Sequence, residues 1–138
     1  MSERREISLR VGTVTCRAEL DSDVAPRATE LFWSALPIHA RLSHAKWSGH
    51  AVFFLPAGDA LRDVELEAPV CSIYPGTIVS RPGGSEVLMA YGPSEYRNAT
   101  GPDYVTRIAH VVDGLNEFRK ELAAMHDGGD IDLVIERT

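Results

Sequence analysis

Cysteine is scarce in this chain, and nothing in it marks a membrane span or a nucleic-acid surface. Two cysteines occur among 138 residues. Cys16 and Cys71 stand alone, without the paired spacing of a zinc site. The N-terminal stretch Met1 to Glu6 is charged and runs straight into a strand pattern, so no secretory core precedes it. Both thiols therefore read as reduced, small buried hydrophobes in a cytoplasmic protein. No apolar run is long enough for a membrane-crossing helix. Basic runs are short as well: the net charge is −6, and Arg4-Arg5 is the longest. Nucleic-acid binding needs clustered Lys and Arg to displace counterions, so that partner is discounted. Phosphate-binding glycine loops, a dinucleotide fingerprint, a nucleophile elbow and internal repeats are all lacking. No cofactor and no metal are expected. Asn98-Ala99-Thr100 matches a glycosylation sequon, which without an export signal reads as chance.

What is present is ordinary globular composition, 44% hydrophobic and 25% charged. One domain over 1–138 with one sizeable core fits that length. The chain is organised around Pro37 to Pro56. Ile38, Ala40 and Leu42 alternate with His39, Arg41 and Ser43, and His44 falls on the apolar side. The return strand is Ala51 to Leu55, with Trp47-Ser48-Gly49 as the turn and Gly49 free to take a positive φ. A two-residue turn puts His44 with Ala51 and Phe53 and turns His50 away. A three-residue loop with Gly49 left-handed puts His44 and His50 on one face. The sequence permits both.

Before the hairpin, Ile7, Leu9 and Val11, then Val14, Cys16, Ala18 and Leu20, alternate as two strands. Pro26 suits a first helical position, and Ala28, Leu31, Phe32, Ala35 and Leu36 form one stripe, so a helix is expected over 25–36. After the hairpin, 58–69 reads as an acidic surface excursion, with a short strand over Val64, Leu66 and Ala68. Ser72 to Gly76 reads as a turn. Thr77 to Arg81 and Glu86 to Tyr91 follow as a strand pair, and 92–102 reads as a long rim loop. Tyr104 to Val112 is a strand. Asp113 is the expected cap of a second helix over 113–126, striped by Leu115, Phe118, Leu122 and Met125 and stopped at Gly128-Gly129. Ile131, Leu133 and Ile135 make the last strand. About eight strands of this kind close into an antiparallel barrel to remove their edges, with the two helices over its ends.

Several motifs share an order with a known family: Ala25-Pro26 with Phe32 and Leu36-Pro37, Ala45 to Gly49, Tyr74-Pro75-Gly76, Ala90-Tyr91-Gly92, and the closing strand-helix-strand. In these the chain resembles cyclophilin, and more closely a family of uncharacterised bacterial proteins with a cyclophilin-like fold. The resemblance implies a closed eight-stranded barrel with a pocket on its outer face and no agreed activity. Cyclophilins that isomerise proline peptides carry an arginine beside a Phe and a Gln-rich groove. No Phe-His-Arg stretch occurs here, and Arg41 and Arg107 lack that context, so peptidyl-prolyl isomerase is the alternative reading.

The candidate site follows from residue chemistry. Histidine as a residue type titrates near neutral pH, so His44 is a candidate, Glu67 can act as a base, and Tyr91 offers a hydroxyl; these are the candidate acid/base groups. Trp47 can form a flat ligand wall. His50, Arg107 and His110 are the further candidate binding residues, Arg107 for a carboxylate. His110 is placed on the Thr106 and Ile108 face, opposite in parity to Arg107. His44, Trp47, Glu67 and Tyr91 are expected to converge on one pocket for a small polar metabolite. The other class is a non-catalytic interaction module in which exposed aromatics make a subunit interface and a homo-oligomer.

Overall fold

The computed structural model describes residues 5–125 and 129–138. Eight strands carry the architecture: β1 (Glu6–Val11), β2 (Val14–Leu20), β3 (Ile38–His44), β4 (Gly49–Phe54), β5 (Thr77–Ser80), β6 (Val87–Glu95), β7 (Val105–Asp113) and β8 (Ile131–Arg137). All their pairings are antiparallel, in the order β2-β1-β8-β3-β4-β6-β5-β7. Strand β7 then returns to β2, from Ala109 against Leu20 to Asp113 against Arg17, and the barrel closes. Among the described residues, closure leaves no long edge open to another chain.

The period-2 pattern decides which side chains fill the barrel. Ile7, Leu9, Val11, Val87, Met89, Tyr91, Leu133 and Ile135 all join one buried cluster. Residues of the other parity, among them Ala51, Val79, Leu88 and Ala90, face outward. The segment between β4 and β7 lays Ile73 and Tyr96 over them as a second cluster. Helices stop the two ends. α1 (Pro26–Ser34) starts on Pro26 and buries Ala28, Thr29 and Phe32 where β2 ends. α2 (Leu115–Ala124) buries Phe118 and Leu122 at the opposite end. Full burial of each such side chain is worth about 2 kcal/mol, which fixes the face that α2 turns to the barrel.

Several expectations need correction. Asp113 ends β7 and does not cap α2; Gly114, at φ +84°, turns the corner. Its place leaves no room for a side chain, since a Cβ there would come within 2.9 Å of Cys16 Cβ. The expected helix end at 126 and the stop at Gly128 lie outside the described residues. Residues 64–68 are not a strand, because Ala68 takes a positive φ of 44° and Glu67 N–H donates to the Thr106 hydroxyl. Pairing starts instead at Pro69–Val70, on β7. Ser72–Ile73, expected in a turn, pairs with β6. The expected long loop is mostly structured: β6 continues through Gly92 to Glu95, and Arg97–Asn98 pairs with Gly101–Pro102. Tyr91 therefore sits inside a strand, at the irregular step where the register against β4 shifts between Ala90 and Ser94.

Candidate functional site

The turn between β3 and β4 decides the site. Lys46–Ser48 forms one 3-10 turn, and Gly49 follows at φ +101°. That spacing pairs His44 with Val52, a residue of the barrel interior. His44 and His50 thus share the inward parity, as the longer of the two turn readings requires. Both rings stand edge-on to Tyr91, with centroids 5.6 Å away for His44 and 5.7 Å for His50. His44 Nε2 and the Tyr91 hydroxyl share a 2.5 Å hydrogen bond. A phenol can donate to a bare ring nitrogen or accept from a protonated one, so this pair can relay a proton in either direction. Burial holds the Tyr91 phenol above its ordinary range, which keeps it protonated at neutral pH.

Tyr91 also faces a cleft of about 460 Å³ between β6 and α2. Its floor is His50, Tyr91, Gly92 and Pro93, and its roof is Asn116, Arg119, Lys120 and Ala123. Gly92 is there for want of a side chain: a Cβ would lie 2.8 Å from His50 Cβ. His50 Nδ1 donates to the Pro93 carbonyl at 3.3 Å. A carbonyl only accepts, so Nε2 is the basic nitrogen of the neutral ring. α2 is fixed over the floor by three attachments. Phe118 and Leu122 enter the core. Glu121 accepts from Thr13 N at 2.7 Å and from its hydroxyl at 2.9 Å. Arg119 Nε donates to the Tyr91 carbonyl at 2.8 Å.

The other candidates lie elsewhere. Trp47 is half exposed and packs on Phe53, on the outer side of β4, with ring centroids 5.4 Å apart. There it borders a separate cleft of about 410 Å³ with Arg81, Glu86 and Arg97. Residue 53 has the opposite parity to residue 52, so Trp47 and Tyr91 sit on opposite sides of the barrel wall. Glu67 is at the far end: its carboxylate accepts from Ala28 N at 2.7 Å and Arg27 N at 3.4 Å, and so caps α1. Of the four residues expected in one pocket, Tyr91 alone lines this cleft; His44 is hydrogen-bonded to Tyr91 without lining it, and Trp47 and Glu67 lie apart. Arg107 and His110 do come together, contrary to the simple parity. A bulge between Arg107 and Ala109 shifts the register and brings both to one side. Both meet buried Asp21, with His110 Nδ1 at 2.8 Å and Arg107 Nε at 3.1 Å. The Arg107 contact is an ion pair rather than an aligned hydrogen bond. Among the described residues, no three His, Cys, Asp or Glu side chains gather as a metal set.

Arg119 and Lys120 were missed as candidates because nothing marks a charged helix surface as functional. One signal was available: Asn116, Arg119, Lys120 and Ala123 are spaced as one helical face beside the apolar stripe.

The fold and this cleft define a closed eight-stranded antiparallel barrel with two helices and a polar cleft at one end. The chain belongs to the family described as protein of unknown function DUF3830, whose model matches residues 7–134. No curated protein matches it. Among solved structures it is similar to McbB, determined in complex with tryptophan, at 21% identity and a TM-score of 0.79. That match covers 96% of this chain but 44% of McbB, so the chain spans less than half of that relative's length. It is also similar to the hypothetical protein AF2241 from Archaeoglobus fulgidus, at 18% identity and a TM-score of 0.67, over the full length of both. At such identities the likeness is one of fold.

Proposed function

We propose that this protein binds a small polar metabolite in the cleft under α2, where Tyr91, backed by His44, exchanges a proton with it. The observation that carries this reading is that Tyr91, hydrogen-bonded to His44, lines a cleft of metabolite size. Tyr91 is the group that meets the ligand; His44 lies behind it and acts through it. His50 is the second base at the cleft floor, and Gly92 sets how closely it approaches. McbB, which shares this fold over 44% of its length, was determined in complex with tryptophan, which supports a small-molecule reading. On this reading the chain is a single-domain, cytoplasmic, bacterial protein of cyclophilin-like kind that needs no nucleic acid, membrane, metal or cofactor. Glu67 and Trp47 have no part in the acid/base step, and Arg107 and His110 serve the outer face.

One observation favours a second reading. Trp47 is 51% exposed beside the outer cleft, which suits a non-catalytic interaction module or a self-association surface. Prolyl isomerase activity would use an outer groove too, yet the sequence lacks the Arg-Phe signature for it. A thermal-shift screen of small polar metabolites separates the readings. A ligand that binds only the native state raises stability, by about 2.7 kcal/mol at a hundredfold excess over its Kd. Tyr91→Phe and His44→Ala should abolish that rise with the fold intact. A ligand whose effect survives both, but is lost in Trp47→Ala, would move the function to the outer face.

A further inference from the structure

Resting on the reading above, we propose that the cleft takes a small carboxylate, its anionic end on Arg119 and Lys120 and its body against Tyr91. The first warrant is charge. The chain carries 20 acidic and 14 basic residues, yet the cleft lining holds Arg119, Lys120 and His50 and no acidic side chain. A cation-only lining on an acidic protein creates a local field opposite in sign to the whole, which draws an anion to that spot.

The second warrant is what those cations are doing. Arg119 uses Nε on the Tyr91 carbonyl. That bond fixes the plane of the guanidinium, and the Nη groups make no hydrogen bond or ion pair among the described residues. A planar fork so held matches the two oxygens of a carboxylate. Lys120 forms no ion pair among the described residues either. Glu117, its acidic neighbour three residues earlier on the helix, forms no ion pair with it among the described residues.

The third warrant is the rest of the lining. Tyr91, Pro93 and Ala123 give the lining an apolar part beside the cations. An anion with an apolar or flat body satisfies both halves; inorganic phosphate satisfies one. Arg119 is a binding residue here and also positions Tyr91 through its carbonyl, so the carboxylate and the proton-exchanging hydroxyl are set by one side chain.

The test measures binding by calorimetry and thermal shift on the whole chain. The probes are phenylacetate and tryptophan, their neutral counterparts phenylacetamide and tryptophanamide, and inorganic phosphate. We expect the two carboxylates to bind and stabilise, the amides to bind at least tenfold more weakly, and binding to fall as salt rises. Lys120→Gln, an exposed position whose loss leaves the fold intact, should weaken carboxylate binding about tenfold, as loss of one charged contact does. Amides that bind as well as carboxylates, with Lys120→Gln silent and Tyr91→Phe disruptive, would overturn the carboxylate and leave the metabolite site standing. Phosphate binding alone, dependent on Lys120, would also overturn it. No probe binding in a Tyr91-dependent way would remove the site and the carboxylate together.

Discussion

Glu67→Ala should destabilise this protein through the start of α1, at the end of the barrel away from the cleft. The helix begins at Ala25-Pro26 with no side-chain cap of its own and no acidic residue in its first turn. Four N–H groups at a helix start lack partners within the helix, and the dipole there favours a negative charge. Glu67 supplies both needs from 39 residues away in sequence: Oε1 takes the Ala28 N–H at 2.7 Å and Oε2 the Arg27 N–H at 3.4 Å. The first is a strong charge-assisted bond; the second is long and counts for little. Losing a cap of this kind costs about 1.5 kcal/mol. For a chain of 138 residues that is a fall in Tm of about 5 °C. Glu67→Gln keeps an oxygen for Ala28 and loses only the charge, about 0.5 kcal/mol. Urea unfolding measures both, and an unchanged m-value would show that the native state alone is affected. Carboxylate binding at the cleft should be the same in both variants. Two variants as stable as the parent, or a Glu67→Gln that loses ligand binding with its stability intact, would refute the capping argument.

Tyr91→Phe keeps the buried ring and removes one hydrogen bond, so it should cost about 1–2 kcal/mol in urea unfolding while ending ligand-induced stabilisation. Because burial raises the Tyr91 pKa, its contribution is fully present below about pH 10, where the unfolded phenol is still protonated. It is lost as pH rises further, and the parent should therefore lose more stability in alkali than Tyr91→Phe does. Burial first, and Asp113 second, push the Cys16 thiol up to about 12. A thiol reagent at mildly alkaline pH should label Cys71 in the native protein and reach Cys16 only after denaturation, and equal labelling rates would contradict that environment. Gly92→Ala places a Cβ 2.8 Å from His50 Cβ. It should displace His50 and weaken binding in the cleft about tenfold, with a smaller effect on Tm; binding equal to the parent's would show that His50 takes no part.

The barrel was legible in the sequence because it rests on local periods. Alternation in Ile7 to Val11, Val87 to Tyr91 and Ile131 to Ile135 states which side chains go inward. The stripe of Leu115, Phe118 and Leu122 states which face of α2 is buried. His44 and Tyr91 were legible as chemistry for the same reason, since each falls on the inward parity of its strand. What the sequence left open was anything that depends on counting across an irregularity. The 44–50 turn permits two parities, and the 3-10 turn at Lys46–Ser48 with Gly49 selects the one that faces both histidines to Tyr91. The bulge after Arg107 reverses the parity of His110 and joins both to Asp21. Contacts between distant segments carry no local signal at all. Glu67 meets Ala28 only because the excursion returns past α1. Arg119 and Lys120 become the roof of a cleft only because barrel closure brings α2 over Tyr91, as Phe118 and Leu122 fill the barrel end beneath it. Periodicity determines which face of an element is buried; where that face meets another, and which polar groups are trapped at the seam, is decided by the packing of the whole chain.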